Sequence, residues 1–154
     1  MFRSFMPLAL AEARAAMARG EVPVGAVVSR GPAVVAAAGN RCREWSDPTA
    51  HAEMLAIRAA CAALGSERLT GCALWVTLEP CAMCAGAVAA ARLDRLHFAA
   101  RDPKSGGVLA GARVLSHPQA HHVPEIHDGA MADEAAALLR RFFAERRSRQ
   151  SRGP

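Results

Sequence analysis

Residues 73–91 read Ala-Leu-Trp-Val-Thr-Leu-Glu-Pro-Cys-Ala-Met-Cys-Ala-Gly-Ala-Val-Ala-Ala-Ala, and this stretch decides the fold class. Its first six residues, with Trp75 and Val76 at the centre, form an apolar run without polar alternation, as expected of a strand buried on both faces. Glu79-Pro80 ends that strand and opens a helix over 81–91, so rich in Ala and Gly that it must pack closely against a neighbour. Working outward, residues 96–100 read as a short fourth strand. Upstream, Asp47-Pro48 supplies an N-cap and a first-turn proline to a helix over 49–64 that Gly65 closes. Before it, the β-branched run 22–28, the turn-like Ser29-Arg30-Gly31-Pro32 and the run 33–38 form a hairpin. Met6, Leu10, Ala13 and Met17 recur at helical spacing over 4–19, and Gly20 ends that first helix. Downstream, residues 101–120 are punctuated by Gly and Pro, with a short helix expected over 109–115. A fifth strand over 121–127 and a final helix over 130–147 complete the chain. Strands alternating with helices give an α/β sandwich, and the length of 154 residues fits one domain.

Composition narrows the class. No uncharged run approaches the roughly 20 residues that span a bilayer. Near the N-terminus, Pro7, Glu12 and Arg14 interrupt the apolar stretch that a secretory signal requires. Five cysteines, two of them in a Cys-x-x-Cys, favour reduced thiols or a metal over a disulfide framework, and the expected compartment is the cytoplasm. The net charge is +5. The segment from Arg140 onward holds six arginines (140, 141, 146, 147, 149 and 152) against the single Glu145, which accounts for the whole excess. A basic tail on a neutral body points to a polyanion such as nucleic acid; a biased, solvated tail is the plainer alternative.

The chemistry concentrates at two helix starts. His51-Ala52-Glu53 opens one long helix and Cys81-Ala82-Met83-Cys84 the next. Cysteines three apart on a helix share a face, and the unpaired amides at a helix start favour thiolates. One imidazole nitrogen with two sulfurs is a donor set for Zn²⁺. A structural site is closed by a fourth protein ligand, whereas a catalytic site leaves that position open. Cys42, Cys61 and Cys72 are the candidates for a fourth. Cys61 lies nearly three turns beyond His51 and too far away, while Cys42 and Cys72 read as ordinary buried thiols. Glu53, two residues from His51, is near enough to shuttle protons without binding the metal, which favours catalysis.

His51-Ala-Glu53 followed 27 residues later by Pro80-Cys81-x-x-Cys84 resembles the signature of the zinc-dependent nucleoside and nucleobase deaminases. Within that superfamily the chain is similar to the bacterial tRNA-specific adenosine deaminases. The matching stretches are Glu21-Val-Pro-Val-Gly-Ala26, Asn40, Asp47-Pro-Thr-Ala-His-Ala-Glu53, Thr77-Leu-Glu-Pro-Cys-Ala-Met-Cys-Ala-Gly86, Ala100-Arg-Asp-x-Lys104 and the tail Phe142-Phe143 with Arg146-Arg147. The resemblance implies a three-layer α/β/α sandwich around a five-stranded mixed sheet, of cytidine deaminase-like architecture. It also implies one Zn²⁺ per subunit on His51, Cys81 and Cys84, with Glu53 as the catalytic proton carrier. Asn40 would bind the target nucleoside, although an Asn after Gly39 is equally a turn residue. Arg101, Asp102 and Lys104 would line the pocket rim. Phe142, Phe143, Arg146 and Arg147 would meet RNA, one Phe buried and the other exposed because adjacent helical residues diverge by about 100°.

The activity so implied is deamination of adenosine to inosine at the wobble position of a tRNA anticodon stem-loop, by a homodimer. Deamination of a free base or nucleoside, and a structural-zinc RNA-binding module, are the alternatives. Two departures from the family pattern, Ala99 and the run Gly106-Gly-Val-Leu-Ala-Gly111, lie beside the expected RNA rim rather than at the metal.

Overall fold

A computed structural model describes residues 3–153. The elements follow in the order α1 (Met6–Ala18), β1 (Gly25–Arg30), β2 (Ala33–Gly39), α2 (Ala52–Leu64), β3 (Cys72–Leu78), α3 (Ala82–Ala90), β4 (Arg95–Ala100), a 3₁₀ turn (Val114–Ser116), β5 (Glu125–Asp128) and α4 (Ala132–Ser151). The strands form one sheet in the order β2-β1-β3-β4-β5. β1 is antiparallel to both β2 and β3, while β3, β4 and β5 run parallel, so the sheet is mixed.

Side-chain alternation sorts the core into two layers. Leu74, Val76, Leu96 and Phe98 pack with Ala52, Ala56 and Ile57 of α2 and with Ala85 and Val88 of α3. On the opposite face Val27, Trp75 and Ala99 pack with Met6, Ala9 and Leu10 of α1 and Ala135 of α4. The buried Trp75 stacks on His97 of β4, ring centroids 3.7 Å apart, and donates its indole N–H to Ser29 Oγ at 2.9 Å. Helix α1 lies directly on the sheet backbone at Gly25, where a methyl group would collide with the backbone of Ala9 and Ala13. Glycine there lets the helix sit low enough to bury its small residues.

Several element boundaries differ from the sequence expectation, mostly because hydrogen bonds go elsewhere. β1 begins at Gly25 rather than 22, because Pro23 has no amide and the Val24 amide turns back to Val22 O at 2.8 Å. It runs on to Arg30, so the hairpin turn is Gly31-Pro32 alone. Helix α2 begins at Ala52 rather than 49. Asp47 Oδ1 accepts from the amide and hydroxyl of Thr49 (2.8 and 2.7 Å), making a local turn, and Asn40 Oδ1 accepts the Ala52 amide at 2.8 Å. Helix α3 likewise starts one residue late, with Cys81 at the N-cap. The helix expected over 109–115 shrinks to Val114–Ser116 because the backbone turns left-handed inside it, at Gly111 (φ 57°) and Arg113 (φ 45°). β5 starts at Glu125: the His121 and His122 region is tied instead to Arg92 and Leu93. Helix α4 extends to Ser151, supported by the Arg141–Glu145 pair and by Arg149 in its last turn.

Candidate functional site

α2 and α3 lie on the same face of the sheet, and both start at one end of it. His51 and Cys81 occupy their N-cap positions in extended backbone. Glu53 is the second residue of α2 and Cys84 the third of α3. Nδ1 of His51 lies 3.7 Å from Cys81 Sγ and 3.5 Å from Cys84 Sγ, and the three donor atoms lie within 4.8 Å of one another. Tetrahedral zinc with its usual bond lengths needs donors about 3.5–3.8 Å apart. Among the described residues no fourth His, Cys, Asp or Glu joins this group. Cys72 is buried as expected, whereas Cys42 and Cys61 are half-buried; burial raises the pKa of all three thiols.

Electrostatics explain why this donor set fits a cation. The neighbouring Cys84 thiol and His51 hold the Cys81 thiol down to about 3, which favours its thiolate at neutral pH. Contact with Cys81 and burial push the Cys84 thiol upward, so a second negative charge is opposed unless a positive ion compensates it. The bond to Cys81 raises the His51 imidazole. Burial raises the Glu53 carboxyl, which is only 4% exposed, so the site supplies two sulfurs, one nitrogen and a carboxyl withdrawn from water.

Asn40 bridges the end of β2 to the start of α2. Its Oδ1 holds the Ala52 amide, its own amide donates to Val24 O at 3.1 Å, and its carbonyl accepts from Arg19 Nη2 at 3.2 Å. Across the site, Arg101 is exposed and pairs with Asp128 Oδ2 at 2.8 Å. Asp102 Oδ1 accepts the amides of Lys104 and Ser105 at 3.1 and 3.0 Å, leaving Lys104 exposed at the tip.

Sequence reasoning missed two buried glutamates. Glu79 reads as a helix opener, yet its Oε1 accepts the Asp102 amide at 3.0 Å and its Oε2 the amides of Val108, Leu109 and Ala110 at 3.2, 2.9 and 3.0 Å. Burial alone would raise its pKa, but the four amides hold it below the ordinary value. The divergent run 106–111, expected beside the rim rather than at the metal, is thereby pressed instead against the start of α3, next to Cys81. A Cβ on Gly106 would lie 2.6 Å from the Glu79 carboxylate, and one on Gly107 would lie 2.5 Å from the Ala82 nitrogen. Gly107 also donates to Pro80 O at 2.8 Å. On the other side Glu21, 1% exposed, takes the amides of Arg43 and Glu44 at 2.9 and 3.0 Å. Both glutamates lie in stretches that match the family pattern, which singles them out without telling which amides they hold.

The tail helix splits its aromatic pair. Phe142 is 8% exposed and Phe143 40%, with the rings edge to face at 5.3 Å. Phe142, Arg146 and Arg149 line a shallow cavity of about 80 Å³ with Met17, Gly20 and Arg43, so α4 abuts the loop after Asn40. Arg147 is exposed outside that cavity. Among the described residues no helix is long and apolar enough to cross a membrane.

Comparison with known proteins accords with this architecture. Residues 2–147 match the profile of the MafB19-like deaminases. The tRNA-specific adenosine deaminase of Agrobacterium fabrum is 54% identical over 143 residues, 93% of this chain and 94% of that protein. A tRNA:A34 deaminase, solved in work on A-to-I editing at the wobble position of transfer RNA, superposes with a TM-score of 0.86 at 53% identity. That match covers 88% of this chain and 98% of the other. A guanine deaminase from Nitrosomonas europaea superposes with a TM-score of 0.78 at 29% identity, covering 90% and 82%. A five-stranded mixed sheet between two pairs of helices, two helix starts that converge on a His/Cys/Cys group, and identity above one half along nearly the whole chain identify it as a member of the MafB19-like deaminase family, among the tRNA-specific adenosine deaminases.

Proposed function

We propose that this chain is a single zinc-dependent deaminase domain that converts adenosine to inosine, with water consumed and ammonia released, at the wobble position of a tRNA anticodon. The observation that carries the reading is the convergence of His51, Cys81 and Cys84 with the buried Glu53 beside them. His51, Cys81 and Cys84 would hold one Zn²⁺ per subunit, which when bound supplies Lewis acidity and activates a water. Glu53 takes one proton of the attacking water and delivers it to the ring nitrogen next to C6, then takes the second from the hydroxyl now on C6 and delivers it to the amino group, so that ammonia leaves as the C6 carbonyl forms. Its burial keeps bulk water from competing for that proton.

Asn40, fixed between β2 and α2, orients the nucleoside. Arg101, Asp102 and Lys104 form the rim, while Phe143, Arg146 and Arg147 engage the surrounding loop nucleotides and phosphates and the buried Phe142 anchors the helix that carries them. A free base has no need of that basic tail, so RNA is favoured over a guanine deaminase-like substrate. The exposed Met83 and Leu109, and an apolar cavity of about 270 Å³ lined by Gly86, Ala90 and Val114, support a homodimer formed across α3. The cytoplasm, where tRNA is found, is the matching compartment.

The test is to incubate the purified protein with an adenosine-bearing anticodon stem-loop and, separately, with free adenosine, guanine and cytosine. Inosine should form only in the RNA. Glu53→Ala should keep its zinc, measured by elemental analysis, and lose turnover. Deamination of a free base with none on the stem-loop would overturn the substrate assignment, and an active Glu53→Ala would remove Glu53 from its role.

A further inference from the structure

The loop of residues 41–50 leaves β2 beside Asn40 and returns at His51, and its ends are tied together by the Arg41 amide donating to Ala50 O at 3.0 Å. Its backbone is fixed in between. Glu21 holds the amides of Arg43 and Glu44, the Trp45 amide donates to Arg41 O at 3.0 Å, and the Asp47 amide donates to Cys42 O at 3.0 Å. A loop held this firmly displays whatever side chain stands at its tip. That side chain is Trp45, 54% exposed.

The surroundings of Trp45 select a partner chemistry. The Arg41 guanidinium sits 5.7 Å from the ring centroid and is itself tied to Glu44, so a cation already backs the ring. Arg43 of the same loop shares the shallow cavity with Arg146, Arg149 and the single acid Glu145 of α4, so cations outnumber anions there three to one. An indole on a rigid mount, backed by one guanidinium and carried on a loop whose Arg43 adjoins the arginines of α4, matches an unpaired nucleobase whose flanking phosphates are negative. It suits a purely apolar protein face poorly, because docking there would strip water from the arginines without pairing them.

We propose that Trp45 is a stacking platform for an unpaired RNA base flanking the reactive adenosine. The loop of residues 41–50 is then a third wall of the RNA site, alongside the rim of residues 101–104 and the tail helix. This inference rests on the reading of the chain as an RNA deaminase.

Fluorescence tests it directly. The chain has two tryptophans, and Trp75 is buried against His97, so a change on adding RNA reports Trp45. In zinc-loaded Glu53→Ala protein, which binds without turning over, an anticodon stem-loop should quench the emission. The quench should vanish when Trp45→Phe is added. In the otherwise wild-type enzyme, Trp45→Ala should raise KM for the stem-loop about tenfold, the scale of one lost base stack, and move kcat less. Trp45→Phe should recover most of that loss. Unchanged KM in Trp45→Ala together with a quench that persists in Trp45→Phe would overturn the proposal. So would a shift of oligomeric state in Trp45→Ala, seen by size-exclusion chromatography, at unchanged RNA affinity, because the ring would then belong to a protein interface. If the wild type makes no inosine in RNA, the substrate assignment fails separately, and the quench still decides what Trp45 binds.

Discussion

The two loops that flank the His51, Cys81 and Cys84 group are each tied to a buried glutamate, but to different ends. Glu79 gathers four amides of residues 102–110 and draws that loop down until Gly106 and Gly107 touch its own carboxylate and the backbone of α3. Glu21 gathers only two amides, those of Arg43 and Glu44, and leaves Trp45 standing in solvent. One clamp brings backbone close to the metal donors; the other holds a side chain out. A buried carboxylate is suited to either task because it accepts several hydrogen bonds and is costly to leave unpaired.

The largest effect is expected from Glu79→Gln, which sets an NH₂ group against backbone amides and removes the charge they were solvating. Stability should fall by about 3 kcal/mol in denaturant titration, and deamination should drop at least tenfold, at about the scale of a broken network of charged hydrogen bonds. The amides depress the Glu79 carboxyl below its ordinary value of 4.5. Its contribution is therefore complete above that pH and is lost as the pH falls through the lower folded value. The stability gap between wild type and Glu79→Gln should narrow below pH 4.5. A gap independent of pH would show that the ionised carboxylate is not what holds the loop.

A smaller effect is expected from Gly107→Ala, whose methyl would press on the Ala82 nitrogen. We expect a loss of about 2 kcal/mol, typical of overpacking, with weakened zinc retention under chelator. Unaltered retention would separate the loop from the metal centre. Smallest is Glu21→Gln, which keeps one acceptor oxygen for the loop of residues 41–50. It should cost about 1 kcal/mol and raise KM for RNA a few-fold with zinc content unchanged. If Glu21→Gln proved as damaging to metal retention as Gly107→Ala, the division of labour between the two loops would be wrong.

What could be read in advance follows the same division. The run of residues 73–91 announced a buried strand and a small-residue helix because both depend on neighbours a few residues away. The His51 and Cys81/Cys84 groups were legible because a metal demands particular donor types at particular spacings, and helix starts are marked by local turn chemistry. Helix α2 began later than Asp47-Pro48 implied because its first amide is held by Asn40, 12 residues upstream. The helix expected over 109–115 failed because the backbone turns left-handed at Gly111 and Arg113, in a loop whose start is held by Glu79 about 30 residues upstream.

The sequence by itself thus determined the order of strands and helices, the basic tail and the His/Cys/Cys donor set, since each rests on periodicity, composition or donor chemistry, whereas the two layers of apolar side chains appeared only in the folded chain. Only the tertiary structure decided which loops wall the site, which glutamates hold them and which aromatic ring they present. A carboxylate that accepts backbone amides recognises no residue type, so its partners leave no pattern in the sequence and exist only once the chain has brought them together.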